Sequence, residues 1–197
     1  METTKGRNGT SRNNNSSGSQ NKATKVSAAE TLKKLYEEDL RDIYWAENHL
    51  VKVLPKMAKA ADSEELRSAF TAHLSQTQNH ISRLERVFTS SGLKVGSKKC
   101  EGMEGLTKEG AGVIDDHEKG SVRDAGLIIA AQKVEHYEIS AYGSLLTLAK
   151  VMGLEGPAKT LQETLNEEVA TDKLLGGLAG SINEEAFADA EPMEEVV

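Results

Sequence analysis

From Ile128 onward an apolar side chain is due every three or four residues, and the positions that fall due are Ala131, Glu135, Glu138, Tyr142, Leu145 and Ala149. That is the period of an amphipathic helix whose inward stripe carries two acids at its middle. The stretch Ala130–Tyr142 therefore restricts the fold sharply. An ionised glutamate taken out of water is costly unless it is paired, protonated or bound to a metal, so the rest of the chain must supply partners.

Three more long segments have the same period. Ser27, with Glu30 three residues on, forms a capping box that opens a helix to about Ala60, and the acid in its apolar stripe is Glu47. Pro55 predicts a kink near its end. Asp62 or Ser63 caps a second helix, closed by Gly92, whose buried side carries His73 and His80 among Leu66, Phe70, Ile81 and Leu84. The third spans about Ser121 to Met152, closed by Gly153. The fourth spans about Pro157 to Gly180, weakened by Gly176 and Gly177, with Glu168 and Asp172 on its stripe. No strand-length alternation of β-branched and polar residues occurs, so the fold class expected is all-α.

Between the second and third helices lies a glycine-rich connection with a short helix over about Met103 to Asp116. A connection of that length can cross a bundle and begin the next helix pair at the other end, which tight loops cannot do. The expectation is a four-helix bundle over 27–182 with a long crossover carrying the extra helix. Residues 1–26 are Asn, Ser, Gly, Thr and Lys with little to bury, a disordered basic tail that serves as a solubilising leader or as an anchor for an acidic partner. Residues 183–197 read as an acidic tail that frays.

The net charge of −7 argues against a general nucleic-acid binder. Cys100 is the only cysteine, so no internal disulfide calls for an oxidising compartment. No run approaches the roughly 20 apolar residues of a membrane span, and the first residues lead into no signal-peptide core. A soluble, cytoplasmic protein without membrane contact is expected.

Each long helix thus sets metal-binding or ionisable side chains into its stripe near mid-length: Glu47, then His73, Gln76 and His80, then Glu135 and Glu138, then Glu168 and Asp172. Carboxylates and histidines facing inward from four helices are how two-metal bundles are built, with iron or manganese as the ions. The usual Glu-x-x-His pairs are absent. Gln76 with His80, and Glu168 with Asp172, are i, i+4 pairs able to share an ion, although Gln is a weak neutral ligand. A buried hydrogen-bond network with Tyr36, Tyr44, Tyr142 or a histidine would also hold the acids. Contributions from all four helices favour the metal. His49, His117 and His136 read as solvent-facing, Trp45 as flanking, and Cys100 either as a thiol activated by Lys98 and Lys99 or as a buried, inert one.

The runs Ala69-Phe70-Thr71-Ala72-His73-Leu74, Cys100-Glu101-Gly102-Met103-Glu104-Gly105-Leu106, Arg123-Asp124-Ala125, Ala131-Gln132-Lys133-Val134-Glu135-His136-Tyr137-Glu138-Ile139 and Glu167-Glu168-Val169-Ala170-Thr171-Asp172 resemble the YciE/YciF family of bacterial ferritin-like stress proteins over about residues 28–182. The resemblance implies a rubrerythrin-like four-helix bundle with an added short helix, a homodimer, a two-metal centre in the core and a link to stress responses. The ligands it implies are Glu47, Glu135 with Glu138, and Glu168 with Asp172. Many relatives carry an acid where this chain has Gln76, so His80 or His73 would supply the missing ligand.

The function expected from residues and resemblance together is oxidation of Fe(II) or reduction of peroxide at a two-metal carboxylate centre. Oxygen or peroxide would be the substrate, with Glu135 and either Glu47 or Glu168 bridging and His80 and Asp172 as terminal ligands. The alternative is a non-enzymatic helical dimer serving as a stress-linked structural or interaction protein. The chain has no rubredoxin-like Cys-x-x-Cys pair, so a reducing partner would be a separate protein.

Overall fold

The computed structural model describes residues 27–188, so the basic tail and the last nine residues of the acidic tail lie outside the described residues. Five helices account for nearly all of the described chain: α1 (Ala28–Ala60), α2 (Glu64–Ser90), α3 (Glu101–Asp116), α4 (Ser121–Val151) and α5 (Glu155–Ala188). No strand occurs among the described residues.

Local chemistry explains the helix ends. At the start of α1 the Ser27 amide donates to Glu30 at 2.8 Å and the Glu30 amide donates to the Ser27 hydroxyl at 3.2 Å, the reciprocal box predicted from sequence. Ser63 caps α2 by accepting from the Leu66 amide. α2 and α4 stop in the same way. Gly92 and Gly153 have φ of 69° and 70°, and the next residue's amide reaches back across the turn, Leu93 to Phe88 and Leu154 to Ala149, each at 2.9 Å. A side chain with a Cβ would be strained in that left-handed conformation.

Three boundaries differ from the sequence expectation. α3 begins at Glu101 rather than Met103, because the Cys100 sulfur caps it by accepting from the Met103 amide. α5 begins two residues before Pro157 and runs past Gly180 to Ala188. Ile182 is buried against the core, and Glu184, Glu185 and Ala186 are good helix formers, so Gly176, Gly177 and Gly180 do not end it. α1 continues through Pro55, which lies on the exposed side of the helix.

Two antiparallel hairpins, α1/α2 and α4/α5, pack side by side. α1 runs antiparallel to α4: Asp62 meets Asp124 at one end, and Glu47 meets Tyr142 near the middle. α2 runs antiparallel to α5, with Arg83 beside Thr164 and Gln76 beside Thr171. The connection after Gly92 travels along α1, where the Lys98 amide donates to the Arg41 carbonyl at 3.1 Å. It then delivers α3 onto the outside of α4 and α1.

α3 lies close against α4 because small residues face it. A Cβ placed on Gly126 would stand 2.6 Å from Val113 Cγ1, and Gly110 faces Ala130. α4 is consequently covered on several sides, which explains its apolar composition. The core between the hairpins is filled by Tyr36, Leu40, Ile43, Leu50, Leu66, Phe70, Leu84, Phe88, Leu127, Ile128, Leu145 and Leu161. No described helix is long and apolar enough to cross a membrane.

Candidate metal centre

Between these apolar layers the four long helices deliver four carboxylates and two imidazoles to the middle of the bundle. Glu47 comes from α1, His73 and His80 from α2, Glu135 and Glu138 from α4, and Glu168 from α5. All six are buried, with Glu47, His80, Glu138 and Glu168 wholly inaccessible. His73 and His80 lie seven residues apart, two turns along one helix face, so their rings approach each other with centroids at 6.4 Å.

The six side chains form two overlapping groups. His73, Glu135, Glu138 and Glu168 each offer a donor atom within 4.8 Å of the others, and Glu47, His80 and Glu168 do the same. Glu168 belongs to both. Within them His73 Nε2 stands 3.3 Å from Glu135 Oε1, and His80 Nδ1 stands 3.0 Å from Glu168 and 3.4 Å from Glu47.

Protein partners satisfy little of this cluster. Both oxygens of Glu138 and of Glu168, one each of Glu47 and Glu135, and the inward nitrogens His73 Nε2 and His80 Nδ1 have no hydrogen bond of acceptable geometry. Native interiors rarely leave so many buried polar atoms unpaired. The Tyr142 hydroxyl does donate to Glu47, and the Tyr142 ring is itself fully buried.

Electrostatics report the same crowding. Burial first, and then repulsion from Glu168 and Glu47, holds the Glu135 and Glu138 carboxyls well above the ordinary range. Burial also raises Glu47, against the attraction of the nearby His80 and the hydrogen bond from Tyr142. For His80 burial opposes the charge, but Glu168 and Glu47 outweigh it and the imidazole is pushed up to about 11. Burial lowers His73.

These directions fix the pH response of the metal-free protein. Groups whose folded pKa is raised contribute stability below their unfolded pKa and lose it as pH rises through the folded value. Glu47, Glu135 and Glu138 therefore withdraw stability from about pH 4.5 upward, and His80 withdraws its share on the way to about pH 11. His73 has the opposite sign, and its contribution is complete by about pH 6.5. The melting temperature of metal-free protein is expected to fall by roughly 5 °C or more between pH 5.5 and 8.5, and added Mn(II) should reverse the fall. Thermal melts across that range, with and without the ion, check this.

Two residues expected at the centre stand at its edge. Gln76 is half-buried, its amide oxygen 3.5 Å from His73 Nδ1 and 3.4 Å from the Thr171 hydroxyl, so it supports the outer side of His73. Asp172 is half-buried and faces Gln132 at 3.3 Å and His136 at 3.2 Å, outside both groups. Four residues advance a helix by slightly more than one turn, and that excess carries Asp172 from the Glu168 direction toward α4.

Other expectations divide. His136 and His117 are exposed, but His49 is half-buried, stacked on Trp45 at 4.7 Å and 2.9 Å from the Thr107 hydroxyl on α3, which corrects its reading as solvent-facing. Of the two readings of Cys100, the buried thiol is the one observed. Burial pushes it up, its sulfur lies 2.9 Å from the Tyr137 hydroxyl, and Lys99 is engaged by Glu104 and Glu101. Arg83 and Glu167 were not singled out from sequence, yet Glu167 lies 2.9 Å from His80 Nε2 and is gripped by Arg83. Their signal was position: Arg83 is one turn from His80, and Glu167 adjoins Glu168.

Comparison with known proteins places this arrangement. Residues 31–188 match the family described as "Domain of unknown function (DUF892)". Protein YciF of Escherichia coli is 48% identical over 158 residues, covering 79% of this chain and 95% of YciF. The crystal structure of that E. coli stress protein superposes with a TM-score of 0.76 at 47% identity, over 78% of this chain and 98% of that one. YcfI, a putative structural protein from Rhodopseudomonas palustris, follows with a TM-score of 0.73 at 38% identity, over 76% and 95% of the two chains. A Xanthomonas campestris protein at 17% identity and a TM-score of 0.64, over 81% and 98% of the chains, shares the fold. The all-α bundle, with its crossover helix and its buried cluster of glutamates and histidines, therefore belongs to the YciF family.

Proposed function

We propose that this chain is a stress-linked ferritin-like protein that holds two divalent cations in its core and oxidises Fe(II) or reduces peroxide there. The observation that carries the reading is Glu168, buried and without a hydrogen-bond partner, shared by two groups of inward-facing ligands. Four carboxylates in one dry pocket repel one another, and cations are what such a donor set neutralises.

His73, Glu135, Glu138 and Glu168 would hold one ion, and Glu47, His80 and Glu168 the other, with Glu168 as the bridge. Iron or manganese bound there would supply one-electron redox chemistry toward a small oxidant. The protein's own part is to prepare the place. Tyr142 donates to Glu47 and fixes the direction of that carboxylate. Leu50, Leu54, Phe70 and Val134 wall off water on the His73–Glu135 side, around a chamber of about 10 Å3, room for about one water-sized molecule. In the same reading the protein works in the cytoplasm as a homodimer.

The test is elemental analysis of untagged protein purified without chelator, joined to Fe(II) and Mn(II) titration under argon. About two ions per chain are expected, followed by consumption of oxygen or peroxide in the Fe(II)-loaded form. Absence of any bound ion would transfer the case to a non-enzymatic helical dimer, whose buried polar seam sets helix register.

A further inference from the structure

His80 lies between two sets of acids that treat its two nitrogens differently. Nδ1 faces the interior, 3.0 Å from Glu168 and 3.4 Å from Glu47. Nε2 faces outward, 2.9 Å from Glu167 Oε2. Glu167 in turn is held by both terminal nitrogens of Arg83, at 2.7 and 2.6 Å, and Arg83 Nη1 also reaches the Thr164 hydroxyl at 3.4 Å. Helix geometry makes the chain possible. Arg83 follows His80 by one turn on α2, Thr164 precedes Glu167 by one turn on the antiparallel α5, and consecutive residues point about 100° apart, so Glu168 faces the core while Glu167 faces α2.

We propose that Arg83 and Glu167 are a positioning pair that fixes which nitrogen of His80 faces the centre. The role rests on the metal-centre reading of His80. A carboxylate in a two-pronged grip from a guanidinium is ionised and can only accept, so the proton of the Glu167–His80 bond belongs to Nε2. Nδ1 is then the nitrogen whose proton an ion between Glu47 and Glu168 would displace. A carboxylate behind a ligating imidazole also increases its donor strength and stops the ring from rotating. Arg83 has a second duty. It holds Glu167 at the partly exposed rim, away from the four buried acids, among which a fifth carboxylate would add repulsion.

A plain ion pair joining α2 to α5 would alter stability and nothing at His80. The experiment therefore reads the ring itself, in protein loaded with diamagnetic Zn(II) and labelled with 15N. Long-range proton–nitrogen spectra of the wild type are expected to show His80 with a slowly exchanging Nε2 proton and Nδ1 bound to zinc. Glu167→Ala should speed that exchange and weaken zinc binding by about 10–100-fold. Glu167→Gln keeps an acceptor for Nε2–H and should recover most of the affinity, while Arg83→Met should lose affinity in the same direction as Glu167→Ala. Thermal melts select the variants that fold. Unchanged zinc affinity and Nε2 protonation in folded Glu167→Ala and Arg83→Met, or zinc bound through Nε2 in the wild type, would overturn the role alone. A wild type that binds neither Zn(II) nor Mn(II) would overturn the metal-centre reading and this role with it.

Discussion

Glu168→Ala is expected to remove both cations at once, weakening Mn(II) binding by at least about 100-fold, the upper end of what losing even a supporting group around an ion costs. The reason is its double membership: both groups of potential ligands include Glu168, and no other residue belongs to both. Glu135→Ala should behave differently. It opens the His73 group but leaves Glu47, His80 and Glu168 intact, so about one ion per chain should survive. In the absence of metal neither substitution should unfold the bundle; Glu135→Ala should leave it as stable or more so, since a buried carboxylate crowded by Glu168 and Glu47 has gone, whereas Glu168→Ala also takes a partner from His80 and should lower stability. Calorimetric titration with Mn(II) and melts of chelator-treated protein measure the two effects separately. Stoichiometric binding of two ions by Glu168→Ala would sink the shared-ligand assignment.

The second large effect lies far from the centre. Asp124, buried at the start of α4, accepts from the Asp62 amide at 2.9 Å and from the Ser63 amide at 2.6 Å, where α1 turns into α2. One side chain thus ties the connection of the first hairpin to the beginning of the second. Asp124→Ala would leave two backbone donors without a partner in a partly buried turn, at a cost of about 2–5 kcal/mol. For a protein of this size that is a fall in melting temperature of roughly 5–15 °C. Asp124→Asn retains one acceptor oxygen and should recover part of the loss. A melt of Asp124→Ala within a degree or two of the wild type would show that water replaces the carboxylate without penalty.

Asp124 also marks the boundary of what the sequence discloses. It stands in a run that resembles the family, but no periodicity shows that its carboxylate reaches a turn sixty residues away. The helices themselves were legible because each carries a stripe at the helical period, and the ends were legible where a cap is strong, as at Ser27, Ser63, Gly92 and Gly153. They were misplaced where the signal was weak or unusual, as with a cysteine sulfur capping α3 and a helix that continues past Gly180.

For the site, the acids that the sequence sets on apolar stripes, Glu47, Glu135, Glu138 and Glu168, converge together with both histidines. Stripe position does not distinguish these from Gln76 and Asp172, which stand at the edge of the cluster, because a stripe is broader than a few ångströms. Arg83 and Glu167 were hidden for the opposite reason. Charged residues on the polar flank of a helix are ordinary, and only the antiparallel contact of α2 with α5 shows that these two meet behind His80.

The hairpin arrangement gives the ligand set an unusual division of labour. Glu47, His73 and His80 all belong to α1/α2, while Glu135, Glu138 and Glu168 all belong to α4/α5. Neither hairpin contains a complete group, because each group draws on both sides of the seam. An ion held in either place would therefore work as a rivet between two halves of the molecule rather than as a brace within one. Its binding energy would oppose the separation of the hairpins and hardly at all the fraying of a single helix. Loss of such an ion would then require the halves to part, and retention of metal would report the closure of the seam rather than the affinity of any one side chain.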